Sequence, residues 1–339
     1  MNEKETRLAA FCKRGGYDGV WLRRRTNIAW LTDGADVHVD GSSSTGVASL
    51  LWTPRKKIVL TTNIEAQRLA DEEFGEEWEI RSSPWWRNAA PPKGQYATDF
   101  PDDPFVDLRA SLTPMELLRM RQLGLTTAAH LEVLLKNRTL VPRGSSERQI
   151  AGNAQDFFRR EGITLPVLLV AADDRIEKYR HPIPTSKKTE RTVLVAVCAR
   201  QYGLTVAITR LVTFGKQLPH GLRRKHDAVC RVDAALHAAT APGQRWCDIL
   251  AVGQQVYRET GFPDEWKHHH QGGPMGYEGR DFKATPTETR KVVEDQAIGW
   301  NPSIAGTKSE DTILSSGEVL TAMGDWPMCG TRPDILCRG

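Results

Sequence analysis

The feature that most constrains the fold of this chain is a set of three polar phrases in its C-terminal half. They are AITR at residues 207–210, HHQGGPMGYEGRD at 269–281 and NPSIAGTKSEDT at 301–312. Each phrase adjoins an apolar run with the composition of a strand, and helix-like stretches separate these runs. Strands and helices mixed in this way predict an α+β fold, with helices packed on one face of a sheet.

Capping signals and apolar runs give the boundaries of the predicted elements. Thr113 suits a helix N-cap, Pro114 suits the first helical position, and Glu116 completes a capping box. Ser146 and Gln149 form a second such box. The sequence predicts helices over residues 114–125, 128–135, 147–160, 226–241 and 246–260, and strands over residues 167–171, 193–197 and 204–211.

The N-terminal part of the chain predicts a separate, small α/β domain. Strand-like runs lie at residues 18–22, 48–52 and 57–61, and a helix is predicted over residues 63–70. Residues 82–107 are rich in Pro, Trp and Asp and predict an irregular linker. In that linker, packing between domains explains the Trp85-Trp86 pair more simply than ligand stacking does. We expect two domains, residues 1–108 and residues 109–339.

Composition narrows the class of protein. A chain of 339 residues is long for one domain and sufficient for two. Its net charge of +4 is spread along the chain, so no nucleic-acid partner is expected. No apolar run approaches the roughly 20 residues that span a bilayer, and the polar N-terminus lacks a signal-peptide pattern. The six cysteines show no CxxC spacing, so we expect reduced thiols, no structural zinc and a cytoplasmic location.

The three phrases resemble catalytic segments of the pita-bread hydrolases, the family of methionine aminopeptidase, aminopeptidase P, prolidase and creatinase. The phrases NIAWLT at 27–32 and TNIEAQRL at 62–69 resemble the N-terminal domain of creatinase and prolidase. The resemblance covers nearly the whole chain. It implies a creatinase-like N-terminal domain, a C-terminal pita-bread domain and a homodimer in which the small domain covers the partner's pocket.

The same resemblance indicates which metal ligands this chain lacks. In the peptidases of the family, two Asp, one His and two Glu hold a pair of divalent metals. Here Ala196 and Ala207 stand at the two Asp positions. Asn301 stands at the first Glu position, and only Glu310 is securely retained. A two-metal centre needs several anionic oxygens to offset its charge, so we expect no metal and no other cofactor in the inherited pocket.

The place of the family's metal-binding His depends on how residues 268–281 are matched. If His269 corresponds to the substrate-contacting His of aminopeptidase P, the metal His becomes Gly273 and the proton-shuttling His becomes Arg280. If the GRD sequence at 279–281 corresponds to the Gly-Arg-acid ending of creatinase, His269 takes the metal-His place and Gly276 the shuttle's. We prefer the second match because it needs no gap.

The polar residues that remain predict an acid–base site. Creatinase shares the fold, lacks the metals and uses a histidine to hydrolyse a C–N bond, and the preferred match places His269 there. Histidine can give or take a proton near neutrality. His181 resembles a substrate-side histidine of the aminopeptidase P and prolidase group. The predicted catalytic residues are His269, His181 and Glu310, and the predicted substrate-binding residues are Asn301, Lys308, Arg280, Tyr277 and Cys198.

Two further interpretations concern single features. Adjacent histidines on a strand alternate between faces, so a separate metal site in the run at 268–270 is not favoured. Cys198 follows Ala196 by two residues on a predicted strand and shares its face. A thiolate near His and Arg can act as a nucleophile, although a buried small residue is the simpler interpretation of Cys198.

Three functions are therefore compared. The leading hypothesis is a metal-independent, creatinase-like enzyme that hydrolyses, or otherwise rearranges by acid–base chemistry, a C–N bond in a small amide, guanidino or amino-acid-like substrate. The second is a non-catalytic protein that binds a peptide or a protein on the same fold. The third is an Xaa-Pro-type metallopeptidase with a relocated metal site. Partners are expected to be a small molecule and a second copy of the chain, with neither nucleic acid nor membrane.

Overall fold

The structure is a computed structural model that describes residues 1–87 and 89–339. The chain divides into two compact units. The first comprises Met1–Thr113 with Tyr202–Leu204, and the second comprises Pro114–Gln201 with Thr205–Gly339. Both units combine helices with sheets, so the predicted α+β class is confirmed.

The first unit is built on a five-stranded sheet in the order β4-β3-β2-β1-β5. The strands are β1 (Gly19–Arg24), β2 (Thr45–Thr53), β3 (Lys56–Thr62), β4 (Glu79–Ser83) and β5 (Tyr96–Thr98). The central three are antiparallel neighbours, whereas β4 and β5 pair in parallel at the two edges. The helices are α1 (Glu3–Gly15), α2 (Arg25–Leu31) and α3 (Ala66–Arg68). A capping box between Asn2 and Glu5 begins α1.

Two predictions for this unit need correction. The helix predicted over residues 63–70 is only the short α3, followed by a π-helical turn at Leu69–Glu73. Residues 82–107, predicted as irregular, contribute strand β5, which pairs with β1. Buried Asp99 anchors this segment by accepting hydrogen bonds from the backbone N–H groups of Arg23 and Arg24. These long-range bonds are invisible in the local composition.

The second unit contains most of the polar phrases. Its helices are α4 (Pro114–Lys136), α5 (Glu147–Arg160), α6 (Asp174–Lys178), α7 (His220–Ala239) and α8 (Trp246–Glu259). Its strands are β6 (Thr164–Ala172), β7 (Thr192–Gln201), β8 (Leu204–Thr213), β9 (Gly272–Met275), β10 (Ala297–Trp300), β11 (Ser303–Ile304), β12 (Thr307–Lys308), β13 (Asp311–Leu314), β14 (Met328–Cys329), β15 (Arg332–Pro333) and β16 (Leu336–Cys337).

These strands form two main sheets and two short hairpins. The sheets run in the orders β16-β8-β7-β6 and β13-β10-β9, and the hairpins are β11-β12 and β14-β15. In the three-stranded sheet, Gly299 of β10 lies opposite Gly273 on one side and Thr312 on the other. A backbone bridge between Thr209 and Glu310 joins β8 to the residue just before β13. The AITR phrase therefore meets the end of the NPSIAGTKSEDT phrase.

Local capping signals predicted this unit well, and tertiary contacts account for the differences. The capping box of Ser146 and Gln149 begins α5 at the predicted residue. The two helices predicted over 114–125 and 128–135 are one 23-residue helix, α4. Gly124 lies inside α4, where a Cβ would be 2.4 Å from the carbonyl oxygen of Leu320, so glycine permits this close approach. Helix α7 begins at His220, six residues before the predicted start.

An apolar core fixes the three-stranded sheet beneath α7 and α8. Four of its members, Trp246, Tyr257, Ile298 and Trp300, are fully buried. Trp300 of β10 donates its indole N–H to Thr240 at the end of α7, so the aromatic core is also oriented. Among residues 1–87 and 89–339, no helix has both the length and the apolarity needed to span a membrane.

Candidate functional site

The site is centred on Glu310, the carboxylate that the family resemblance implies is retained. Glu310 is 4% exposed and lies where the backbone of β8 meets the start of β13. Its Oε2 is 2.7 Å from Lys308 Nζ and accepts a hydrogen bond from Thr209 Oγ1. Its Oε1 is 3.5 Å from Arg280 Nη2. Burial acts to raise the pKa of Glu310, but the two cations outweigh it and lower that pKa, so the carboxylate is charged.

A glycine makes room for the guanidinium of Arg280. A Cβ on Gly299 would lie 2.6 Å from Cζ and Nη2 of Arg280. Arg280 Nη1 also donates to the carbonyl of Gly279 at 2.6 Å, whereas its buried Nε has no hydrogen-bond partner among the described residues. The guanidinium of Arg280 therefore reaches Glu310 through the space beside Gly299, which any larger residue would fill.

The family's two-metal centre does not fit these residues. Ala196 and Ala207 offer no donor atom, and both side chains are buried. The one retained carboxylate, on Glu310, already contacts Lys308 and Arg280. A pair of divalent cations would have to displace these two positive groups and would find too few anionic oxygens to balance their charge.

Two histidines that are far apart in sequence meet beside this network. His181 follows α6, and His269 follows a 3₁₀ helix at Glu265–His268. Their Nε2 atoms are 3.1 Å apart, so one ring can donate to the other in the appropriate tautomer. The ring of His270 stacks on that of His269 with centroids 4.4 Å apart. The alternation of faces assumed for adjacent histidines fails here because these residues precede β9 and lie outside any strand.

Burial and positive charge keep these imidazoles neutral. Burial first, and then the charge of Lys308, lowers the pKa of His269 to about 2. Burial and the charge of Arg280 lower the pKa of His270 to about 3. The pKa of the more exposed His181 is lowered for the same reasons, burial first and Lys308 second. Neutral imidazoles beside two cations that share one carboxylate make a site with excess positive charge, which should attract an anion, and a bound anion would raise these pKa values.

The three imidazoles also form a possible ligand set for one transition metal. The ligating nitrogens of His181, His269 and His270 lie within 4.8 Å of one another. Such an arrangement differs from the carboxylate-rich centre of the family, and neutral imidazole is the form that binds metals. The surrounding positive charge of Lys308 and Arg280 opposes a dication at this position. The chemistry of the surroundings therefore favours an anionic ligand over a metal.

A small pocket with an aliphatic wall opens at His269 and Lys308. The wall consists of Leu169, Ala171, Ile176, Leu194 and Ala196, with Tyr179, Arg180, Pro182, Ser303 and Thr307 completing the lining. The methyl group of Ala196 extends this apolar surface at the position where the family resemblance implies an Asp. On its other side, His269 faces a more open cleft together with His270, Trp266 and Lys283.

The other predicted site residues differ in their surroundings. Asn301 is buried, and its Oδ1 has no hydrogen-bond partner among the described residues, so it is available to a ligand donor. Tyr277 is also buried, but its hydroxyl donates to Glu116 at 2.6 Å, a contact that holds α4. Burial and the charge of Glu310 raise the pKa of Cys198 to about 11, which keeps the thiol protonated and a poor nucleophile.

Sequence reasoning missed Arg180 and Thr209. Arg180 lines the aliphatic pocket, pairs with Glu265 and donates to Ser303 Oγ at 3.3 Å. Thr209 lies inside the AITR phrase and bonds Glu310. Arg180 precedes the predicted His181, so its proximity to the site was readable from the sequence. The Glu265 pairing was not, because it joins segments 85 residues apart.

The family profile of metallopeptidase family M24 matches residues 119–323. This chain belongs to that family. Among curated protein sequences, none is significantly similar to it.

Solved structures share the fold over nearly the whole chain. The prolidase from Pyrococcus horikoshii OT3 is 17% identical, with a TM-score of 0.76 over 95% of this chain and 98% of that one. The X-Pro aminopeptidase from Thermotoga maritima MSB8 is 15% identical, with a TM-score of 0.74 over 99% and 100%. The N-terminal domain of FACT complex subunit SPT16 from chickpea is 12% identical, with a TM-score of 0.71 over 95% and 96%. At these identities the likeness establishes the fold alone.

Proposed function

We propose that this protein is a metal-independent member of its family that acts by acid–base chemistry on a C–N bond of a small anionic amide, guanidino compound or amino-acid derivative. The observation that carries the proposal is the 3.1 Å contact between Nε2 of His181 and Nε2 of His269, beside a Lys308–Glu310–Arg280 network at the family's metal positions. The network supplies positive charge where the peptidases have metals.

The proposed chemistry assigns a separate role to each group. Lys308 and Arg280 attract the negative group of the substrate and stabilise negative charge that develops during reaction. The bound anion raises the pKa of His269, which then takes a proton from the attacking water and returns it to the leaving nitrogen. His181, in contact with His269, receives or supplies the proton at the exposed side. Glu310 holds Lys308 in place and remains ionised.

Unpartnered atoms support a polar ligand. The Nδ1 atoms of His269 and His270, Nε of Arg280 and Oδ1 of Asn301 are all buried without a hydrogen-bond partner among the described residues. Buried polar atoms without partners are rare in folded proteins, and each such atom costs free energy. A ligand with both donors and acceptors would satisfy them.

The test begins with ligand discovery. Thermal-shift measurements with amino acids, dipeptides and guanidino acids should yield a stabilising compound, because a ligand at 100 times its Kd stabilises by about 2.7 kcal/mol. Proton NMR then follows turnover of that compound by the wild-type chain, by His269→Ala and by the matched control His268→Ala. Only His269→Ala should lose turnover, by at least about 100-fold. Full turnover by His269→Ala would exclude the assigned proton carrier.

A metal assay tests the other half of the proposal. Turnover should persist after dialysis against EDTA, and the purified protein should hold well under one equivalent of Mn, Co, Fe or Zn. Stoichiometric metal, together with activity that is lost on chelation, would overturn metal independence. It would instead support the third hypothesis, a relocated centre at His181, His269 and His270.

A non-catalytic binding role is the second candidate. The very low pKa of unliganded His269 favours it, because a histidine with a pKa of about 2 is a weak base in the absence of an anion. This role predicts a peptide or protein partner and no turnover of any stabilising compound.

The homodimer and the cytoplasmic location expected from the sequence also remain proposals. Sedimentation measurements of the purified chain test whether it is a homodimer.

A further inference from the structure

Two cysteine thiols face each other at a distance from the candidate site. Cys230 lies in α7 and Cys329 in β14, and each thiol is the main influence on the pKa of the other. Contacts with other residues show separately where each thiol lies. Cys329 Sγ is 3.4 Å from Oδ1 of Asp227, one turn before Cys230 on the same helix. Cys230 Sγ is 3.7 Å from the carbonyl oxygen of Pro333, in the strand that pairs with β14.

The two thiols differ in reactivity. The interaction with Cys230 lowers the pKa of Cys329, and the positive charge of Arg223 acts in the same direction. The same pairing, followed by burial, raises the pKa of Cys230. Cys329 is partly exposed, whereas Cys230 is 2% exposed. A partly exposed thiol with a lowered pKa near a buried thiol with a raised pKa is the arrangement of an attacking and a resolving cysteine.

We propose that Cys329 and Cys230 are a modification site that forms a reversible disulfide in response to hydroperoxides. The Cys329 thiolate attacks a hydroperoxide, the O–O bond breaks, and after uptake of one proton the products are Cys329 sulfenic acid and an alcohol or water. Cys230 then attacks the sulfenic sulfur, and its thiol proton leaves with the hydroxyl group as water. The peroxide is reduced by two electrons, and the two thiols are oxidised to one disulfide.

The resulting cross-link would tie α7 to the β14-β15 hairpin. Arg332 of β15 pairs with Asp233 of α7 and with Asp311, the residue after Glu310. The disulfide would therefore lock the hairpin that carries Arg332 against the helix that carries Asp233. Because the cross-link closes a long loop of chain, it should also raise the melting temperature.

The experiment uses the reduced full-length protein and hydrogen peroxide as the oxidant. After oxidation, free thiols are blocked with N-ethylmaleimide and the unreduced protein is digested for mass spectrometry. The expected result is a linked peptide pair that contains Cys230 and Cys329, loss of two of the six thiols, and recovery of all six with dithiothreitol. Oxidation of Cys329 to a sulfinic acid while Cys230 stays free would overturn the proposal.

Variants distinguish the two roles. Cys329→Ser should abolish the rapid loss of thiols, whereas the matched control Cys337→Ser, at an exposed thiol, should still form the linked pair. In Cys230→Ser, whose hydroxyl can keep the bond to Pro333, dimedone should trap a sulfenic acid on Cys329. Absence of that adduct, with unchanged circular dichroism, would contradict the order of the two steps.

Discussion

Glu310 and Asp311 are adjacent in the chain, yet they lie in two very different polar regions. Asp311 receives bonds from Arg210 at 3.0 Å, from Thr321 at 2.8 Å and from Arg332. The side chains of Arg210 and Arg332 are 2% and 3% exposed, and Thr321 is fully buried. The region around Asp311 is a closed network in which each oxygen of the carboxylate is bonded.

The region around Glu310 is open by comparison. Glu310 has a close contact with Lys308, but Arg280 approaches only to 3.5 Å. Buried atoms of His269 and His270 nearby in the site lack partners. Both oxygens of Asp311 are thus bonded by buried side chains, whereas Glu310 has one close cation and unpartnered imidazole atoms beside it. The ligand that we propose would use this difference.

The largest effect should come from breaking the closed network. Asp311→Asn removes a carboxylate that pairs with both Arg210 and Arg332 and leaves them, among the described carboxylates, only Glu132 and Asp233. Removing one partner from a buried ion-pair network costs about 3–5 kcal/mol. Urea denaturation should show this loss of unfolding free energy. Glu310→Gln should cost less, because Lys308 lines the pocket and Arg280 approaches Glu310 only to 3.5 Å. Equal losses in the two variants would remove the distinction between a closed and an open region.

A smaller effect is expected from closing the gap that Arg280 occupies. Gly299→Ala introduces a Cβ 2.6 Å from the guanidinium, so Arg280 must move away from Glu310, and overpacking of this kind costs about 1–3 kcal/mol. Binding of the stabilising compound should weaken at least tenfold. The control is Gly279→Ala, where a Cβ would meet open space. Unchanged binding by Gly299→Ala would show that Arg280 does not contact the ligand.

The sequence predicted those parts of the molecule that local chemistry determines. The capping box at Ser146 and Gln149 lies within four residues, and α5 begins where it predicts. The approach of Leu320 to Gly124 of α4 joins residues nearly 200 positions apart, so no local pattern could reveal why a glycine stands inside this helix.

In the candidate site, too, contacts between residues close in sequence could be predicted and long-range contacts could not. Lys308 and Glu310 are close in sequence, and their pairing was readable. The meeting of His181 with His269 spans 88 residues and was expected only through the family resemblance. The bond between Tyr277 and Glu116 spans 161 residues, so the sequence could not show that this predicted substrate-binding residue also bonds a helix. Burial also altered the chemistry of Cys198, and burial is a property of the fold.

Acid should destabilise the open region in a characteristic way. The pKa values of His269 and His270 lie at about 2 and about 3 in the folded chain, below the value near 6.5 in the unfolded chain. The unfolded state therefore binds more protons between these limits, and stability declines as the pH falls below about 6.5. Each histidine contributes at most about 1.4 kcal/mol per pH unit.

Urea denaturation between pH 4 and pH 7 measures this dependence. His270→Ala should flatten the slope relative to the wild-type chain, whereas His268→Ala, which alters an exposed neighbour, should leave it unchanged. If His270→Ala and the wild type have the same slope, then His270 titrates alike in both states and the site is wetter than its burial indicates.

The smallest effect is expected at Cys198, where the open region borders β7. Because burial and Glu310 raise the pKa of this thiol to about 11, it is protonated at neutral pH and contributes no nucleophile. Cys198→Ser keeps the size of the side chain and should change turnover of the stabilising compound by less than about twofold. Iodoacetamide should likewise label Cys198 more slowly than the exposed Cys337. If Cys198→Ser loses more turnover than His269→Ala does, the reacting group is this thiol of β7 and not the histidine pair.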